Sequence, residues 1–320
     1  MVFKTTLAYK LINNTNEQRV VQKGNVTANN CYSLLLFKGK TFVYKNNIKQ
    51  TSTANLNSKV LTLTGTAAGH TQTFEYANQS GAWFIGTKGK KQSEDSYAWD
   101  TQIARVQIPA SQSYSSNTSL PRLSYLNRAG IGKKIDQNGN FRDTFTGNDL
   151  LRSEAAVSPG PNYDRFLLAT VDTAGNGYFF LYRLADINNA LNKAGTADVN
   201  IATIPCLRYF AIPNITNEKV GIGSIQGYDL DDQNNIYISS QKSGKPTRHL
   251  YKIPWGASNK DNWTDIPLGA IDVSGYSTEL EGVQVLKEDD LYLTVAYHRN
   301  TDGKATQSRI FRISWYTNQT

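Results

Sequence analysis

The sequence is short of the residues that hold small secreted domains or metal sites together. It has two cysteines in 320 residues, Cys31 and Cys206, far apart and in no CxxC pair. That argues against a disulfide framework and a zinc site, and reads as two core thiols. No stretch approaches the roughly 20 apolar residues of a membrane helix. The N-terminus, MVFKTTLAYKLINN, alternates polar and apolar residues. A signal peptide would show an apolar run of about 7–15 residues after basic ones. Three routes stay open: a cytoplasmic protein, export without a cleaved signal, or a signal already removed.

Catalytic and cofactor motifs are missing too. Of the three histidines, His70, His249 and His298, none lies in HExxH or near a Gly-x-Ser-x-Gly elbow. FKGKTF (Phe37–Phe42) contains Gly-Lys-Thr, but Leu34 stands where a P-loop needs its first glycine, so a strand turn is expected. DLDDQNN (Asp229–Asn235) resembles a calcium loop at Asp229 and Asp231. It lacks the glycine at position 6, and Ser240 stands in place of the bidentate Glu. It reads as a tight turn between strands. No metal, cofactor or catalytic residue is assigned.

What is present points to a packed β protein. Hydrophobic residues make up 39% and charged residues 19%, which fits a globular chain rather than a disordered one. Eighteen Tyr and 12 Phe favour strands, and 24 Gly favour turns. Lys and Arg outnumber Asp and Glu by 34 to 26, a net +8. That charge favours wall polymers or anionic lipid as partners, or is simply a soluble surface. No recognition motif supports nucleic acid.

A repeat organises the chain. Each unit opens with Gln or Glu in a short apolar strand and passes a turn rich in Asn, Asp and Gly. It reaches an aromatic strand about eleven residues on, and ends in a third strand carrying a basic residue. SIQGYDLDDQNNIYISSQ (Ser224–Gln241) with HLYKIPW and ELEGVQVLKEDDLYLTVAYH (Glu279–His298) with RIFRISW are the clearest copies. HTQTFEYANQSGAWFIGTK, SEAAVSPGPNYDRFLLATV and VVQKGNVTANNCYSLLLF supply three more. The units open at Gln22, Gln72, Glu154, Gln226 and Glu281, separated by 50, 82, 72 and 55 residues. The shorter separations approach the period of propeller blades. The expectation is one all-β domain over 1–320, a five-bladed β-propeller with inserted loops at 113–145 and 186–222. ADINNALNKAG is read as a short helix in the second loop. The last unit ends at Trp315 with no room for a fourth strand, so residues 3–12 should close the ring by pairing near 308–314.

In a propeller the innermost strand lines the channel, so the five opening residues would form a polar ring. Architecture is the first reading of that ring. Ligand contact through Gln72, Glu154, Gln226 and Glu281 is the second. Glycoside hydrolysis by Glu154 and Glu281, which needs two carboxyls about 5–10 Å apart, is the third. His70 and His298 sit at equivalent strand ends and should face a common loop side. Arg105, Arg183, Lys252, Arg312 and Lys45 read as a solvated or salt-bridged stripe. Trp83 and Trp315 occupy core-like positions, whereas Trp99 and Trp263 lie in polar segments and are the glycan-contact candidates.

The strings VVQKGNV, GHTQTFEYA, GAWFIGTK, QIARV, SNTSLPRLSYLNRAG, EAAVSP, FLLATV, SIQGYDLDDQNNIYISSQK and YLTVAYH, spread over Val20–His298, resemble the helveticin J family of large, heat-labile bacteriocins of lactobacilli. The resemblance implies a secreted antibacterial protein, released without an obvious signal peptide to kill related Gram-positive bacteria. It carries over no catalytic residues. The combined expectation is a monomeric, non-enzymatic bacteriocin that binds a target-cell glycan or teichoic acid, with an anionic membrane surface as a further partner. A wall hydrolase and a non-lethal lectin or adhesin are the rivals.

Overall fold

The computed structural model describes residues 1–89, 98–108, 111–130, 149–242 and 244–316. Among these the chain forms five sheets, arranged as a five-bladed β-propeller. The first blade runs through Val21–Val26, Asn30–Phe37, Lys40–Asn47 and Lys59–Leu63. The second uses Phe74–Tyr76, Ala82–Thr87, Gln102–Gln107 and Arg122–Ser124. The third uses Leu150–Val157, Arg165–Asp172, Gly177–Arg183 and Cys206–Ile212. The fourth uses Ile225–Leu230, Ile236–Gln241, Arg248–Ile253 and Thr264–Asp265. The fifth uses Tyr276–Lys287, Asp290–Arg299, Ala305–Tyr316 and the N-terminal strand Val2–Ile12.

The turns follow their residues. Lys38 and Gly39 both take positive φ (47° and 67°), the geometry of a two-residue hairpin loop. In DLDDQNN the Asp231 carboxylate accepts from the backbone of Gln233 and Asn235, and Asn234 takes φ 64°. Asp231 therefore builds a turn.

Ring closure is as expected. The N-terminal strand pairs antiparallel with the last one, from Val2↔Tyr316 to Ile12↔Gln307, with a bulge between Leu7 and Tyr9. A further device protects the outer edges. Thr53–Asn55 of the first blade adds in parallel to the edge of the fifth. Gln112–Tyr114 adds to the first blade and Asp198–Asn200 to the second. Each is a three-residue strap handed on from the next blade round the ring, and each covers hydrogen-bonding groups that would otherwise invite association.

Five hydrophobic clusters hold the blades, one in each interface: between blades 1 and 2, 2 and 3, 3 and 4, 4 and 5, and 5 and 1. The last contains Leu11 from the N-terminal strand and Ile310 beside Leu35 and Phe42. Trp83 and Trp315 are both buried core residues.

The stretches read as insertions also contribute strands. Arg122–Ser124 is the outer strand of the second blade and Cys206–Ile212 that of the third. Residues 131–145 of the first stretch lie outside the described residues. The helix forms at Leu184–Ala194. It corrects one expectation: Arg105 is not on a solvated stripe. It is buried beneath this helix, where its guanidinium donates to the Asn188 Oδ1 (2.8 Å) and Asn192 Oδ1 (2.5 Å). Lys252 and Arg312 do pair with acids, Lys252 with Glu288 and Asp289 and Arg312 with Asp290.

The closure makes a direct prediction. A chain beginning at Asn13 leaves the edge of Ala305–Tyr316 unpaired and opens the Leu11 cluster. It should lose its cooperative thermal transition or associate, read by calorimetry and size-exclusion chromatography. An unchanged melt of a monomer would remove the N-terminal strand from the closure.

Candidate functional site: the two mouths of the central channel

The innermost strands pack side by side around the axis. They approach most closely where blades 4, 5 and 1 meet: a Cβ on Gly282 would lie 2.8 Å from the Gln22 carbonyl oxygen, and one on Gly227 2.6 Å from the Gly282 Cα. In these three blades the strand register slips at the opening residue, between Val21 and Lys23, Ile225 and Tyr228, and Leu280 and Val283. A bulge breaks the two-residue alternation of side chains. It lets the opening residue and the residue three positions later both face the channel.

The middle of the channel is filled by protein. Arg152, missed in the sequence reading, is its hub. Its guanidinium donates to the carbonyl oxygens of Ile225 and Gln226 (both 2.6 Å), to Gln72 Oε1 (2.9 Å) and to Glu154 Oε1 (3.3 Å). Glu154 also accepts from the Gln72 backbone N–H (3.2 Å to each oxygen) and from Thr73 Oγ1 (2.5 Å). Gln72 Nε2 donates to Glu281 Oε2 (2.8 Å) and Gln226 Oε1 (3.3 Å). Four of the five opening residues therefore form one bonded network, all buried. Below it Lys23, fully buried, pairs with Glu75. Burial works against the Lys23 charge, but the carboxylates of Glu75, Asp229 and Glu154 outweigh it and hold its pKa above the ordinary value.

Each inner strand gives its first half to one end of the channel and its second half to the other. The first mouth, about 530 Å³, is lined by Gln22, His70, Trp99, Gln226, Glu281 and His298, with Arg19, Glu279 and Lys304 at its rim. His70 and His298 do share one side. Burial, with Arg152 and Arg19 nearby, lowers His70 to about 3, so it is a neutral ring, 3.2 Å from Gln22 Oε1. The hydrogen bond to Glu279 (2.8 Å) raises His298. Trp99 is sandwiched. His70 stacks on it at 3.8 Å and the Arg152 guanidinium lies 3.6 Å from its ring centre, distances that place the two on opposite faces. No face is left for a sugar. Trp263 lies on the outer part of the fourth blade, away from the channel, with its Nε1 donating to the Ala257 carbonyl (2.8 Å).

The second mouth is larger, about 810 Å³, and the sequence reading missed it. Asn25, Glu75, Val157, Asp229 and Gln284 all line it, and each stands three residues after an opening residue. That fixed offset was the available signal. Six aromatic rings, Tyr9, Tyr32, Tyr76, Trp83, Tyr163 and Tyr292, form its wall. Burial pushes Asp229 up to about 6 and raises Glu75 further.

The described residues contain no group of three or more His, Cys, Asp or Glu placed to hold a metal. Of the two carboxylates considered for hydrolysis, Glu281 reaches the first mouth, whereas Glu154 lines neither described pocket.

Burial, and then Glu279, raises Glu281 well above its ordinary 4.5, against Gln72 and Arg152. The folded state thus keeps a proton that the unfolded chain releases above that pH, and the associated stability fades as pH rises from 4.5 toward the folded value. Glu281→Gln, neutral throughout, should melt with the wild type at pH 4 and roughly 2–4 °C or more above it at pH 7.5. Equal melting at both pH values would mean Glu281 is ionised in the fold.

The family model described as bacteriocin helveticin-J matches residues 2–316. Bacteriocin helveticin-J of Lactobacillus helveticus is 39% identical over 330 aligned residues, covering 94% of each chain. Among solved structures, the WD40 domain of Toxoplasma gondii coronin is similar at a TM-score of 0.38 and 9% identity, over 99% of this chain and 87% of that one; the blade count comes from strand pairing alone. With the family model spanning nearly the whole chain and a curated relative at this identity, the protein belongs to the helveticin J family of bacteriocins.

Proposed function

We propose that this protein is a secreted bacteriocin that acts by binding a polymer of the target-cell surface rather than by cutting it. The observation that carries the reading is the plugged channel. Glycoside hydrolysis needs two carboxyls that both reach the scissile bond, about 5–10 Å apart. Glu154 is instead saturated by Gln72, Thr73 and Arg152 inside the network. The polar ring thus reads as architecture, and ligands are left to the mouths and the outer surface.

The net charge of +8 supports approach to an anionic envelope, with attraction that weakens as salt rises. Among the described residues no helix is long and apolar enough to cross a membrane. The alternative with an observation in its favour is a hydrolase using Glu281 and Glu279, two acids lining one pocket.

The test is a killing assay on live lactobacilli, following viable counts and optical density together for wild type, Glu281→Gln and Glu279→Gln. Viability should fall while density holds, with both variants as active as the wild type. Collapse of density by the wild type, lost in a variant whose melting temperature is not lowered, would establish the hydrolase. Survival of every strain tested would favour a non-lethal lectin.

A further inference from the structure

We propose that the second mouth is a carbohydrate site that takes an uncharged pyranose unit of the target-cell wall; the assignment rests on the surface-binding reading above and locates it. Size comes first. About 810 Å³ lies within the roughly 300–1,000 Å³ of small-molecule sites, and the lining mixes aromatic rings with the polar side chains of Asn25, Thr27, Glu75, Asp229 and Gln284.

The rings come second. One side of a pyranose is a surface of C–H bonds, and it packs on an aromatic face. Tyr76 meets Tyr163 edge-on (5.5 Å, 75°) and Tyr9 meets Tyr292 edge-on (6.4 Å, 63°). All four rings are half-buried. An edge-to-face contact takes one face of one ring and leaves the pair's other faces uncovered by it, with Tyr76 also meeting Trp83 edge-on (5.5 Å, 63°), whereas in the first mouth the protein takes both faces of Trp99.

Tyr163 is placed at a cost. Its backbone sits at φ 43°, a region that bulky residues avoid. Its ring lies against Gly160, where a Cβ would come within 2.6 Å of it. Strained residues that the surroundings hold in place concentrate at ligand sites.

The polar lining selects among ligands. Glu75 and Asp229 line the pocket, with Lys23 the buried cation paired to Glu75. Oxygens of these side chains accept from sugar hydroxyls, and among the described residues no Lys or Arg lines the pocket to receive phosphate or a sugar acid, since the buried Lys23 ammonium is already taken by Glu75. The site thus fits a neutral or N-acetylated hexose, and the phosphate of a teichoic acid is left to the basic exterior.

The experiment uses the full chain, purified lactobacillus cell walls in a sedimentation assay, and tryptophan fluorescence for soluble sugars. The competitors are the trimer of N-acetylglucosamine, glucose, galactose and rhamnose, against inorganic phosphate and tetramethylammonium. The variant is Tyr163→Gly, which removes the ring and suits the positive φ. Tyr292→Leu, on the opposite wall, serves if Tyr163→Gly melts early.

At least one sugar should displace the protein from walls and quench its fluorescence, while phosphate and tetramethylammonium do neither. The variant should bind walls about tenfold or more weakly, the scale of one lost stacking ring, with an unchanged melt. Wall binding that ignores both sugar and variant overturns this site and leaves surface binding standing. Displacement by tetramethylammonium instead makes it a cation site. No wall binding by the wild type overturns the surface-binding reading itself. Sugar quenching of the same sample, lost in Tyr163→Gly, then still decides whether the pocket takes sugar.

Discussion

The Arg152 guanidinium is the contact on which the rest of the channel depends. It carries a charge into the most crowded part of the molecule, which is tolerated only with partners on every side. Those partners come from three blades: Glu154 from its own, Gln72 from the second, and the carbonyls of Ile225 and Gln226 from the fourth. Gln72 then passes the network to Glu281 in the fifth. A planar donor with a fixed fork suits this task and a lysine does not. The five hydrophobic clusters hold neighbouring blades, but each acts across one interface. The polar network spans the axis and sets how the inner strands meet.

That arrangement divides the channel along its axis. The same inner strands that bury the network present two mouths of different chemistry. One is polar and histidine-bearing, with its tryptophan already covered. The other is walled by tyrosines over an acidic floor. The inner-strand bulges make this possible in blades 1, 4 and 5, because they turn residues of odd spacing toward the same channel.

Much of this was legible in the sequence. The eleven-residue offset from Gln226 to Tyr237 and from Glu281 to Tyr292 reports strand pairing within a blade, and it gave the blade count. The missing fourth strand after Trp315 gave the closure, seen in Phe3↔Trp315. His70 and His298 were correctly placed on one side. Other features escaped because they depend on packing between distant segments. Arg105 looked like its counterparts Lys252 and Arg312 until the helix at Leu184–Ala194 covered it. Trp99 looked free in a polar segment until Arg152, some fifty residues on, closed over its face. The ring three residues after the opening positions was hidden by the assumption of strict alternation, which the bulges break.

On the proposed reading the middle of the channel is architecture and the mouths carry recognition. The most direct measurement is Arg152→Lys, followed by denaturant unfolding and by killing activity per folded molecule. A loss of about 3 kcal/mol or more is expected, because the fork that satisfies four acceptors is gone, with activity per folded molecule unchanged. Unchanged stability with abolished killing would contradict it and place the chemistry inside the ring.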